Sequence, residues 1–112
     1  MVKNYIPNRG DIIWINFNPT KGREQTGFRS ALVISSSLYN VKAGLILACP
    51  ITSKIKGYPF EVETMLDGVS GAILVDHIKS LDWKERSIKF HKKCEIAILE
   101  EVQHKLIEII SN

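Results

Sequence analysis

A chain of 112 residues is the size of one ordinary domain, and 45% apolar with 24% charged residues excludes a disordered or collagen-like chain. Fifteen Lys/Arg against twelve Asp/Glu leave a net +3, which alone argues only weakly for an anionic partner. Its distribution says more. Residues 1–56 carry eight basic residues against Asp11 and Glu24, a net +6, whereas residues 57–112 carry seven against ten, a net −3. Gathered on one face, the basic half suits a phosphate backbone; scattered, it is ordinary solvated charge.

No membrane segment or export signal is visible. The longest apolar run, Leu45–Ile51, is seven residues long and contains Pro50, against the ~20 that a spanning helix requires. The expectation is a cytoplasmic protein without a membrane anchor. Cys49 and Cys94 are too few for a disulfide framework or a zinc site.

Ile12–Ile15 and Phe17 follow Gly10-Asp11 and predict a short strand ended by Asn18-Pro19. Thr20–Arg29 carries Gly22 and Gly27, has no apolar residue before Phe28 and shows neither period, which predicts a loop. Ala31–Ile34 is continuously apolar, a strand buried on both faces. A Ser-rich turn with Leu38-Tyr39-Asn40 leads to a strand over Leu45–Cys49, with Pro50 expected at a strand end or edge. Phe60–Glu63 alternates, and Asp67-Gly68 is a hairpin turn signal before the next strand, Ala72–Val75. Ile78, Leu81 and Ile88 extend the β pattern. Leu99, Val102, Leu106, Ile109 and Ile110 then share one face of a terminal helix, with Glu100 and Glu101 near its start, where the dipole favours acids. The sum is a single α+β domain over residues 1–112: a mainly β barrel of five to seven short strands with a C-terminal amphipathic helix.

Three stretches can carry chemistry. The 18–29 loop concentrates Lys21, Arg23, Glu24, Gln25 and Arg29 among glycines. It suits a phosphate, although an ordinary charged loop has the same composition, and it is not a P-loop because Gly-Lys-Ser/Thr is absent. Pro50-Ile51-Thr52-Ser53-Lys54 ends a strand, where two hydroxyls and a lysine serve either a ligand or the following turn. Asp76-His77-Ile78-Lys79-Ser80 ends another; His91 and His104 read as surface positions. No nucleophile elbow, metal-ligand spacing or dinucleotide fingerprint is present, so the expected chemistry uses no metal and no cofactor. Arg, Glu and hydroxyl groups suit RNA cleavage by its own 2′-hydroxyl, in which the substrate supplies the nucleophile.

The blocks "GDIIWINFNPTKGREQTGFR", "SALVIS", "YN", "CPITSKIKGYPFEV" and "VDHIKSLDWKER" resemble, in order and spacing, the MazF/PemK family of toxin endoribonucleases, from about Tyr5 to Arg86 and more loosely beyond. The resemblance implies an SH3-like (PemK-like) antiparallel barrel, usually a homodimer, that cuts single-stranded RNA at short sequences without metal. The products carry 2′,3′-cyclic phosphate and 5′-hydroxyl ends. It also implies an antitoxin whose disordered acidic tail fills the same groove. The family's catalytic arginine falls on Arg29, its catalytic threonine on Thr52 and its loop glutamate on Glu24, with Gln25 beside it. Lys56 and Lys79 are candidates for backbone phosphates, and His77 for a base. Two positions depart from the pattern: Ser30 stands where the family commonly has proline, and His77 where relatives often carry glutamine. Two other classes share parts of this reading, a gyrase inhibitor of the CcdB type, which has the same barrel, and a non-catalytic RNA- or antitoxin-binding module.

Overall fold

The computed structural model describes residues 5–17 and 28–111. The β-branched run after Gly10 forms β1, Asp11–Asn16. It pairs antiparallel with β2, Phe28–Val33, on one side and with β7, Ile88–Lys93, on the other. β3, Leu45–Thr52, lies beside β2 and changes partner along its other edge. Residues Leu45–Ala48 pair with β6, Lys79–Asp82, while Ile51 and Thr52 pair with β5, Val69–Leu74. β4, Glu61–Leu66, completes a seven-stranded sheet in the order β4-β5-β3-β2-β1-β7, with β6 on β3. Among the described residues two α-helices accompany it: α1, Ser37–Ala43, and α2, Ile96–Ser111. No described helix is long and apolar enough to cross a membrane.

Strand alternation divides the apolar residues between two faces. Ile12, Leu32, Cys49, Ile51, Val62, Ile73 and Val75 form one cluster, capped by Leu99 and Val102 of α2. Ile13, Ile15, Ala31, Val33, Ile46, Ala48 and Leu81 form the other, against which Tyr5, Phe17, Trp83 and Ile88 pack. β2 contributes to both, as its unbroken apolar run requires. Asp67-Gly68 forms the β4–β5 hairpin turn, both residues with positive φ (53° and 80°), so right-handed strand twist is matched by a primed turn.

Four features differ from expectation. Pro50 sits inside β3, not at an end or outer edge. Leu47 bonds through its backbone to Ile34 and the Ser35 side chain, on the β2 side. Alternation therefore turns position 50 toward the opposite edge, at the junction between β6 and β5, where the missing N–H leaves no rung unmade. The Ser-rich turn is followed by a helix, α1, capped by the Ser36 side chain on Tyr39 N–H and by Gly44 at φ 74°. Glu100 and Glu101 lie in the second turn of α2, and no acid occupies the first. His91 is half-buried. Trp14 Nε1 donates to its Nδ1 at 3.1 Å, and its Nε2 meets Asp67 at 2.8 Å, tying the hairpin tip to β7 and curling the sheet toward closure.

Candidate active site

β3 ends at Thr52, whose Oγ1 accepts the Lys54 N–H at 3.1 Å. The hydroxyl thus serves the turn and keeps its own proton to donate to a ligand. The segment after it is pinned by Glu61 at the start of β4, whose carboxylate accepts the N–H groups of Lys56 (3.2 Å) and Gly57 (3.1 Å). Gly57 takes φ 76°, a left-handed conformation that turns the chain. Lys105 of α2 holds the same segment from below through the Pro59 carbonyl at 2.9 Å. On the far wall stands a 3₁₀ turn, Val75–His77. Its Asp76 accepts the Tyr58 hydroxyl at 3.0 Å, and that hydrogen bond, with the carboxylate's charge, pushes the phenol pKa up.

Between these walls lies an open groove of about 300 Å³, lined by Thr52, Lys54, Lys56, Tyr58, Glu61, Leu74, Asp76 and His77. It gathers cations, acids and hydroxyls in one place, as a site for a charged and hydrogen-bonding ligand requires. His77 is exposed, its Nε2 3.9 Å from Asp76. A larger hollow of about 630 Å³ lies beside Tyr5, Ile6, Val41, Trp83 and Arg86, but none of the described sequence-predicted site residues lines it. Among the described residues no cluster of His, Cys, Asp and Glu could hold a metal ion.

Arg29 lies in β2, exposed, opposite Ile15 of β1. The β2–β3 register pairs Ala31 with Pro50, Leu32 with Cys49 and Val33 with Ala48. Extended by two positions, it sets Arg29 at the level of Thr52 on the neighbouring strand. Alternation gives the two side chains the same face, that of Ala31, Val33 and Ala48. Thr52 therefore lines the groove at the end of β3, the strand beside the one that bears Arg29.

The structure brings Thr52, Lys56 and His77 into one groove, whereas Arg29 is not among its lining residues and lies on the neighbouring strand β2. Lys79 lies apart: it pairs with Ala48, four positions along β3 from Thr52, roughly 13 Å at the usual strand rise. Glu24 and Gln25 lie outside the described residues. Ser30 is inside β2, opposite Trp14, and the strand begins two residues before it. Phe28 is 48% exposed beside Arg29. Tyr58 and Glu61 were not expected at the site. The available signal was Gly57 before Tyr58-Pro59, which marks a turn folding this segment back over the end of β3.

Residues 8–110 match the profile of the PemK-like, MazF-like toxin of type II toxin–antitoxin systems. The endoribonuclease toxin MazF of Escherichia coli K12 is 48% identical over 86 residues, 77% of this chain and 78% of that protein. The crystal structure of MazF from Deinococcus radiodurans superposes with a TM-score of 0.84 at 44% identity, covering 97% of this chain and 100% of the other. A MazE–MazF complex from the same organism gives a TM-score of 0.84 at 41% identity, over 96% and 98% of the chains.

Proposed function

The chain belongs to the PemK-like, MazF-like toxin family, and from this premise we propose that it cleaves single-stranded RNA, mRNA included, at a short sequence by attack of the substrate's own 2′-hydroxyl. It is an endoribonuclease toxin of a toxin–antitoxin system, and its partner is a cognate antitoxin. In the reaction, the 2′-oxygen loses its proton and bonds to the adjacent phosphorus. The P–O5′ bond breaks, and the departing 5′-oxygen takes up a proton. One strand then ends in a 2′,3′-cyclic phosphate and the other in a 5′-hydroxyl.

What supports this reading is Thr52 in the groove at the end of β3, beside β2, whose register with β3, continued two positions beyond Ala31–Pro50, sets Arg29 level with it. Arg29 grips two phosphate oxygens and opposes the charge that builds on them in the transition state. The Thr52 hydroxyl, already an acceptor toward Lys54, donates to a phosphate oxygen and orients it. Glu24 is assigned to proton transfer and Gln25 to the RNA beside it. Lys56 and His77 meet the strand in the groove, and Lys79 meets a phosphate farther along. No step requires a metal or a cofactor. The active form is a homodimer, and the antitoxin's acidic tail competes with RNA for the groove.

Purified protein incubated with single-stranded RNA in excess EDTA should make discrete cuts with cyclic-phosphate ends. One 2′-deoxy substitution on the 5′ side of the cut should abolish them. RNA left intact in EDTA, or normal cleavage of the deoxy substrate, would refute the mechanism.

A further inference from the structure

Arg29 sits on the part of β2 that is least supported. Ala31 and Leu32 pair with both β1 and β3, whereas Phe28, Arg29 and Ser30 pair with β1 alone among the described residues. The guanidinium can be no better placed than the end of β1. Holding that end is Arg86, a half-buried residue of the β6–β7 connection. Its Nη1 donates to the carbonyls of Asn16 at 2.9 Å and Phe17 at 3.1 Å. Asn16 is the last residue of β1 and lies opposite Phe28, next to Ile15 opposite Arg29.

The connection carrying Arg86 is itself braced. Asp82 accepts the N–H groups of Lys84 and Glu85 at 3.1 Å each through its side chain, and that of Arg86 at 3.2 Å through its carbonyl. Trp83 donates from Nε1 to the Asn40 carbonyl at 3.0 Å. Asn40 is fully buried, its side-chain amide bonded to the Pro7 and Ser35 carbonyls. A chain of fixed groups therefore runs from the core to the open end of β1 and finishes in charge-assisted bonds, about twice as strong as neutral ones.

We propose that Arg86 is a positioning residue for Arg29, clamping the carbonyl end of β1 so that the β1–β2 strand end holds the guanidinium level with Thr52. Arg86 acts without touching RNA. The inference rests on the catalytic reading of Arg29 above.

The test is a mutant cycle with Arg86→Ala, Arg86→Lys and Arg29→Lys, following kcat and KM on a cleavable oligoribonucleotide together with thermal melting. Arg86→Ala should lower kcat by about 100-fold, the scale of a misplaced catalytic group, and leave KM within about threefold. Arg86→Lys should recover to within about fivefold of the parent, because one nitrogen makes both bonds and an ammonium can donate to two carbonyls. Combined with Arg29→Lys, the loss from Arg86→Ala should fall well short of the product of the separate losses. If Arg86→Ala does not melt cooperatively, Arg86→Gln takes its place in the cycle. Parental kcat in the Arg86 variant, a rise in KM alone, or fully multiplicative losses would overturn the inference. Should Arg29→Ala be inactive while Arg86→Ala cuts at the parental rate, only the role of Arg86 falls. Parental cutting by Arg29→Ala overturns both.

Discussion

The Thr52 hydroxyl has one acceptor duty inside the protein, toward Lys54, and one proton to give. Thr52→Val keeps the shape but removes both, whereas Thr52→Ser keeps them. Cleavage should fall by about 10²–10³ in the valine variant, as for loss of a single transition-state donor, and survive in the serine variant. Arg29→Ala should lose at least as much, about 2.7–4 kcal/mol in transition-state stabilisation, while still binding the antitoxin in a pull-down. Cutting at the parental rate by either Arg29→Ala or Thr52→Val would remove that residue from the site. Tyr58 illustrates what a linear reading omits. Its place in the groove comes from a hydrogen bond to Asp76, eighteen positions away, and no local pattern encodes that pairing.

Gly71 shows how an element supports the site. Buried in β5, it lies against β3 so closely that a Cβ would stand 2.9 Å from the Thr52 carbonyl oxygen and 3.6 Å from Ile51 Cγ2. Gly71→Ala must therefore pry β5 from β3 where Thr52 pairs with Ala72. A stability loss of about 1–3 kcal/mol by urea titration is expected, with a fall in cleavage. An unchanged midpoint and rate would show that the strands yield freely. The legibility of elements followed their patterning. The Asp67-Gly68 hairpin and the terminal helix were readable because turn chemistry and apolar spacing agree with the fold. Helix α1 was not, because its one buried residue is Asn40 while Leu38, Tyr39 and Val41 face outward. Its caps, Ser36 and Gly44, were the remaining signal.

Burial across the two apolar clusters sets a response to alkali. Cys49, fully buried, has its thiol pushed from 9.0 up to about 12 by desolvation, with Asp76 adding to the shift. The Tyr5 hydroxyl is raised well above the ordinary phenol value by burial and by its hydrogen bond to Asp11. Between pH 9 and 12 the unfolded thiol has lost its proton and the folded one keeps it, so the unfolded state binds fewer protons and stability falls as pH rises. Cys49 alone should contribute a slope of roughly 1 kcal/mol per pH unit, fully protective below pH 9. Denaturant unfolding of the parent and of Cys49→Ala at pH 8 and 10.5 checks this. The alanine variant should be the less pH-sensitive of the two, and equal sensitivity would contradict the assignment.

Length, alternation, turn residues and the helical stripe were enough to specify a mainly β domain with a terminal helix, because each depends on neighbours a few positions apart. Arg29 and Thr52 were singled out from their polar neighbours only by the resemblance of their blocks to a known family. That β2 runs beside β3 depends on a long-range strand register, and the groove on a segment pinned by Glu61 and Lys105. Arg86 gained its place from a turn seventy positions away from Asn16. Such contacts join residues far apart in the chain, and cooperative packing of the whole sheet, rather than any local preference, selects them.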